Sequence, residues 1–169
     1  MTIRARVKGE SAGASLRGVE GEPLSPLELG AWRGLLRAHA GVVRRLDADL
    51  RSRHGMSLTS YEVLMLLGAV PRKRLRISEL SAGTLLSVSG MSRMVDRLVR
   101  EGLVVRESCE DDGRGAEVAL TASGRGRLRA ARASHLAGVR AEFLARFSDD
   151  DLARMEGLWS RVEPPGDEG

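Results

Sequence analysis

Cysteine and aromatic residues are scarce in this chain, and each scarcity removes a class of explanation. The one cysteine, Cys109, excludes an intramolecular disulfide and any cysteine-rich metal cluster. The three histidines, His39, His54 and His135, show no ligand spacing, so neither a metal site nor a cofactor is expected. Aromatics make up 3% of residues against 42% hydrophobic, which calls for a core of Leu, Val, Ala and Met. No apolar run approaches the ~18 residues that span a bilayer. The N-terminus lacks the apolar segment of a signal peptide. A soluble cytoplasmic protein with no membrane partner is the expectation. Phosphate-binding glycine loops, a nucleophile elbow and nucleophile–base pairs are also missing, so no enzyme is expected.

Lysine is rare as well. Lys8 and Lys73 are the only two, so arginine supplies the rest of 27 basic residues against 23 acidic ones, for a net charge of +4. The sequence pI is near 10.1. A basic balance favours nucleic acid or an anionic membrane as partner and proves neither.

Residues 1–24 are rich in Gly, Ser, Arg and Glu without periodicity and read as a mobile N-terminal arm. A helix begins at Ser25, where Pro26 and Glu28 complete a capping box with proline at its favoured place. Helical spacing of Trp32, Leu35, Leu36, Val42, Val43, Leu46 and Leu50 carries it to Gly55. Thr59 and Glu62 offer a second box, opening an apolar helix from Ser60 to Val70 that Pro71 stops. Four basic residues in five follow (72–76), read as a loop with a short extended step at Ile77. Ser78 is expected to cap a short helix, Glu79–Thr84, and Ser87 a second one ending at Arg100, closed by Gly102. Residues 103–109 and 116–121 read as two strands around the Gly- and Asp-rich turn 110–115. Thr121 caps a long helix to Phe147, and Ser148 caps a last one with Asp149, Asp150 and Asp151 in its first turn.

A short capped helix, a tight turn, a second capped helix and a two-stranded hairpin describe a winged helix-turn-helix. On the second helix, Met91, Val95 and Leu98 form an inward face, widened by Val88, Met94 and Val99. The opposite face carries Ser89, Ser92, Arg93, Asp96 and Arg97. Ser87, Ser89, Gly90 and Ser92 are small, which lets the first turn approach base edges and phosphates; Arg93 suits a bidentate guanine contact. At the hairpin tip Arg114 suits a narrow minor groove, with Asp112 placed to hold its guanidinium. In the preceding loop Arg72, Lys73 and Arg74 are either phosphate contacts or a solvated surface.

In this order and spacing the chain resembles the MarR family, the multiple-antibiotic-resistance type of bacterial regulator. The resemblance covers residues 26–162. It rests on 77–80 (ISEL), 89–98 (SGMSRMVDRL), 101–106 (EGLVVR), the wing 111–115 (DDGRG) and 120–124 (LTASG). It implies a mostly α fold with a small β-wing. The parts are a dimerisation helix (25–56), a winged helix-turn-helix lobe binding double-stranded DNA (57–121), further dimerisation helices (122–163) and an acidic tail (164–169). It also implies a homodimer on a pseudo-palindromic operator, and a repressor that answers to a small-molecule effector. Gly83 departs from the pattern, standing where a helix former is expected.

For the effector, Trp32, His39 and Tyr61 are candidates to line a pocket; core or dimer-interface positions fit them as well. Cys109 opens a redox-sensing alternative, against which its acidic flanks Glu107, Glu110, Asp111 and Asp112 disfavour the thiolate. A nonspecific architectural DNA binder is the other alternative, distinguished by a lack of sequence preference.

Overall fold

The structure is a computed structural model describing residues 22–72, 74–108 and 116–162. Most of the arm, Lys73, Cys109, the hairpin tip with Asp112 and Arg114, and the tail lie outside the described residues. Six α-helices and three strands run in the order α1 (Pro26–His54), α2 (Leu58–Ala69), β1 (Arg74–Arg76), α3 (Ile77–Ala82), α4 (Val88–Arg100), β2 (Val104–Ser108), β3 (Ala116–Leu120), α5 (Ala122–Glu142) and α6 (Asp149–Trp159). The chain divides into two units, residues 1–36 and 37–169. In the first, the expected capping box is in place: Ser25 N–H donates to Glu28 at 2.8 Å and Glu28 N–H to Ser25 Oγ at 3.3 Å. These bonds hold the Glu28 carboxyl below its ordinary pKa.

The second unit is built around an aliphatic core, as the composition requires. Leu50, Val63, Leu64, Leu67, Leu80, Met91, Val95, Leu98, Val104 and Val118 are buried, with Tyr61 as the aromatic exception. Gly55, at φ +60°, turns the chain out of α1. The cap of α2 differs from the expected Thr59. Ser57 takes it, accepting from Ser60 N–H at 3.1 Å, while Leu58 N–H donates to Asp47 of α1 at 2.9 Å. That tertiary bond settles which of two local capping signals prevails. Val70 is extended ahead of Pro71, as the residue before a proline prefers.

The stretch read as a basic loop contains a strand. β1 adds to the wing, giving a three-stranded antiparallel sheet of order β1-β3-β2, with Leu75 opposite Val118 and Arg106 opposite Val118 on the other side. α3 starts at Ile77, not after Ser78, because Glu79 accepts from Arg76 N–H at 2.6 Å. Gly83 closes it; a Cβ there would lie 3.0 Å from a Leu66 methyl, so the glycine admits Leu66. α5 ends at Glu142, short of the expected Phe147. Phe143 leaves helical geometry, a 3₁₀ turn (Leu144–Arg146) follows, and the Phe143 and Phe147 rings meet edge to face at 5.2 Å. Ser148 caps α6 with Asp151 answering, and the helix stops at Trp159. Among the described residues no helix is long and apolar enough to cross a membrane.

Candidate nucleic-acid interface

The helix-turn-helix is held by small local bonds. Ser81 Oγ donates to Leu86 C=O at 2.6 Å and Leu86 N–H to Thr84 Oγ1 at 3.3 Å, which fixes the turn between α3 and α4. Ser87 caps α4 by accepting from Gly90 N–H at 3.2 Å and lies 3.2 Å from Ser89 Oγ. Met91, Val95 and Leu98 are fully buried, so the inward face is anchored as expected. Val88 and Val99 do not join it; they are 56% and 38% exposed. Val88 therefore stands beside Ser87 and Ser89 at the outer tip of the helix, where an apolar residue can meet a thymine methyl.

The outward face separates into two groups. Ser89 and Arg93 are exposed, and among the described residues no acidic side chain pairs with Arg93. Asp96 is bridged by Arg106 of β2 at 2.7 Å, and the same guanidinium reaches Ser92 Oγ at 3.3 Å. Arg106 is a residue the sequence reading passed over. An acid on a DNA-facing helix repels phosphate unless a cation covers it, and that need was the signal available.

Two expected contacts take other positions. Arg97, read as part of the outer face, turns toward α2. Its Nη2 donates to Ser60 Oγ at 2.6 Å and Ser57 Oγ at 3.2 Å, bracing α4 against the cap of α2. Arg74 lies in β1 and binds Glu107 at 2.9 Å, with Glu117 at 3.9 Å, so a phosphate would have to displace carboxylates. Arg72 is exposed in the turn that follows α2.

A groove of 780 Å³ opens between α1, α2 and the α3–α4 turn, lined among others by His39, Val43, Glu62, Met65, Leu66 and Leu85. Burial raises the Glu62 carboxyl pKa, with His39 opposing. Of the three effector candidates only His39 lines it. Tyr61 is 2% exposed and faces His135 of α5 at 4.4 Å, which agrees with the core position that was its alternative reading. Trp32 belongs to the first unit and is exposed.

Comparison with known proteins bears on this geometry. The MarR family profile matches residues 54–115, from the end of α1 through the hairpin tip. AbsC, a MarR family transcriptional regulator from Streptomyces coelicolor, is 30% identical with a TM-score of 0.79, covering 83% of this chain and 95% of its own. A second MarR family transcriptional regulator from that organism, solved in complex with DNA, is 30% identical with a TM-score of 0.81, covering 86% and 91%. A mutant of MarR from E. coli complexed with operator DNA shares the fold at 23% identity and a TM-score of 0.72, covering 80% and 95%. A search of curated protein sequences returned no match.

Proposed function

We propose, for a chain that belongs to the MarR family of transcriptional regulators, that it reads a pseudo-palindromic operator in double-stranded DNA as a homodimer and represses transcription until an effector binds. One observation carries the reading. The first two turns of α4 present Ser87, Ser89, Gly90, Ser92 and Arg93 outward while Met91, Val95 and Leu98 clamp the opposite side. A helix rigid on one face and small and cationic on the other suits major-groove entry, first turn foremost. Arg93 is assigned to guanine, Val88 to a thymine methyl, and the Ser87 and Ser89 hydroxyls to phosphate or base edges. Arg114 and Asp112 are assigned to the minor groove, and Arg72 and Lys73 to flanking phosphates. Arg97 and Arg74 are left to their structural partners.

The effector is assigned to the groove beside His39. Leu85 and Leu86 of the α3–α4 turn line it, so an occupant touches the element that aims α4. Footprinting on the intergenic DNA upstream of the coding sequence tests the reading. Two protected half-sites about one helical turn apart are expected. Uniform protection along the duplex would support a nonspecific architectural binder instead.

A further inference from the structure

The groove between α1, α2 and the α3–α4 turn carries a charge opposite to that of the chain. The chain has 27 Lys and Arg residues, and none stands among the described residues that line the groove, whereas the carboxyl groups of Asp47 and Glu62 do. Asp47 is already engaged: Arg51 binds it at 2.6 Å and Leu58 N–H donates to it at 2.9 Å. Glu62 is in a different position. Among the described residues its carboxyl group makes no hydrogen bond or ion pair; His39 acts on its charge without pairing with it. Helical spacing puts it there. Thr59, Glu62 and Leu66 follow one another a turn apart on α2, while Tyr61, Val63 and Leu64 go to the core. A half-buried carboxylate that has lost water and gained no partner costs free energy. Around it Val43, Met65 and Leu85 are 36%, 42% and 92% exposed, apolar groups left in water on the groove wall.

From this geometry we infer that the groove takes a monovalent organic cation, a protonated or quaternary amine on an apolar body. The inference names a ligand class for the groove already given to the effector, and it rests on that reading of the site. Glu62 supplies the counter-charge for the cationic head, and an ion pair formed in a partly desolvated place is stronger than one in open water. Leu66, Leu85 and Leu86, with Val43 and Met65, supply the apolar contact. The volume of 780 Å³ falls within the ~300–1,000 Å³ typical of organic ligand sites. An anion would meet two carboxyl groups and no Lys or Arg. A neutral apolar molecule would strip the remaining water from Glu62 and leave it unpaired. A metal ion lacks a ligand set, since among the described residues no three His, Cys, Asp or Glu side chains come together to hold one. Leu85 and Leu86 belong to the turn fixed by Ser81 and Thr84, so a ligand with its head on α2 and its body on this turn ties a core helix to the element that aims α4.

Calorimetric titration of the full chain with octyltrimethylammonium, at fixed ionic strength and below its micelle concentration, tests the inference. Octanoate and 1-octanol serve as probes of the same chain length. One octyltrimethylammonium per chain is expected, with octanoate and 1-octanol each weaker by about tenfold or more. Glu62→Gln keeps the size of the side chain and should lower affinity for the cation about tenfold or more while leaving 1-octanol unchanged; Glu62→Asp should keep part of it. Leu85 is 92% exposed, so Leu85→Ser spares the core and should weaken cation binding several-fold at an unchanged melting temperature. The proposal is overturned by an absence of saturable octyltrimethylammonium binding in the millimolar range, or by equal binding in Glu62→Gln. It is equally overturned if octanoate or 1-octanol binds as tightly. Release of the operator duplex is read separately, by fluorescence anisotropy with the parent and with Glu62→Gln. Glu62-dependent binding that leaves operator affinity intact would uphold the cation site and contradict the groove's role as effector site.

Discussion

Arg97 donates to the Ser57 and Ser60 hydroxyls, while Arg93, one turn earlier on α4, stands in solvent. Removing each should therefore register in a different assay. Arg93→Ala should leave the melting temperature unchanged and weaken operator binding by ~1–3 kcal/mol, the contribution of one bidentate base contact. Arg97→Ala should lower the melting temperature by a few degrees, since it strips donors from the buried Ser57 and Ser60 hydroxyls; ~1 kcal/mol is expected after allowing for the partial exposure of Arg97. Both arginines were visible in the sequence. Their separation was not, because helical periodicity fixes the angle of a side chain and not the partner waiting at its end. His135 adds a pH dependence. Its Nδ1 is buried without a hydrogen-bond partner among the described residues, and burial lowers its pKa from the ordinary 6.5. A lowered folded-state value means the unfolded chain takes up the proton first. This contribution is complete above about pH 6.5 and is lost as the pH falls through the folded value. Urea unfolding of His135→Phe at pH 5 and pH 8 should show a smaller difference between the two pH values than the parent does.

Among the elements, those closed by local bonds could be read directly. Ser25 with Glu28, Ser87, Thr121 and Ser148 each cap the helix expected of them, because the acceptor and the donor lie three residues apart in the chain. Elements set by distant partners could not. β1 is three residues of alternating arginine and leucine, and only its pairing with β3 makes it a strand. α2 begins two residues early because Asp47 of α1 receives Leu58 N–H. The junction of β3 with α5 shows how tight such contacts become. Thr121 Oγ1 donates to Gly102 C=O at 2.7 Å, and a Cβ on Gly124 would lie 2.0 Å from the Leu103 carbonyl oxygen. Gly124→Ala forces backbone apart and should destabilise by ~1–3 kcal/mol, or more if the junction cannot shift. Denaturant unfolding measures it; an unchanged midpoint would mean the close approach is not real.

For the whole molecule, besides Leu85 and Val88 at the α3–α4 turn, groups of exposed apolar side chains stand near both ends of the described sequence. Leu27, Trp32 and Leu36 on α1 are 82%, 53% and 48% exposed, and Leu158, Trp159 and Val162 at α6 are 50%, 42% and 75% exposed. Large apolar groups left in water on a chain of 18.3 kDa ask for a partner. A second copy is the expected one, and light scattering should give twice the chain mass. Leu158→Glu/Trp159→Glu should shift the population to monomer and, if each copy reads half a site as proposed, weaken operator binding with it. The fold class and the order of helices and hairpin were legible in the sequence. So was the small, exposed tip of α4 that is proposed to read DNA, because these features follow from periodicity and caps.

The central claim is that α4 reads DNA sequence through Arg93. A fluorescence-anisotropy titration of the upstream intergenic duplex against a scrambled duplex at the same salt, with Arg93→Ala alongside, tests it most directly. The account predicts a preference of ~10³-fold or more for the upstream duplex, largely erased by the substitution. Equal affinity for both duplexes, or a preference that Arg93→Ala leaves intact, would contradict it.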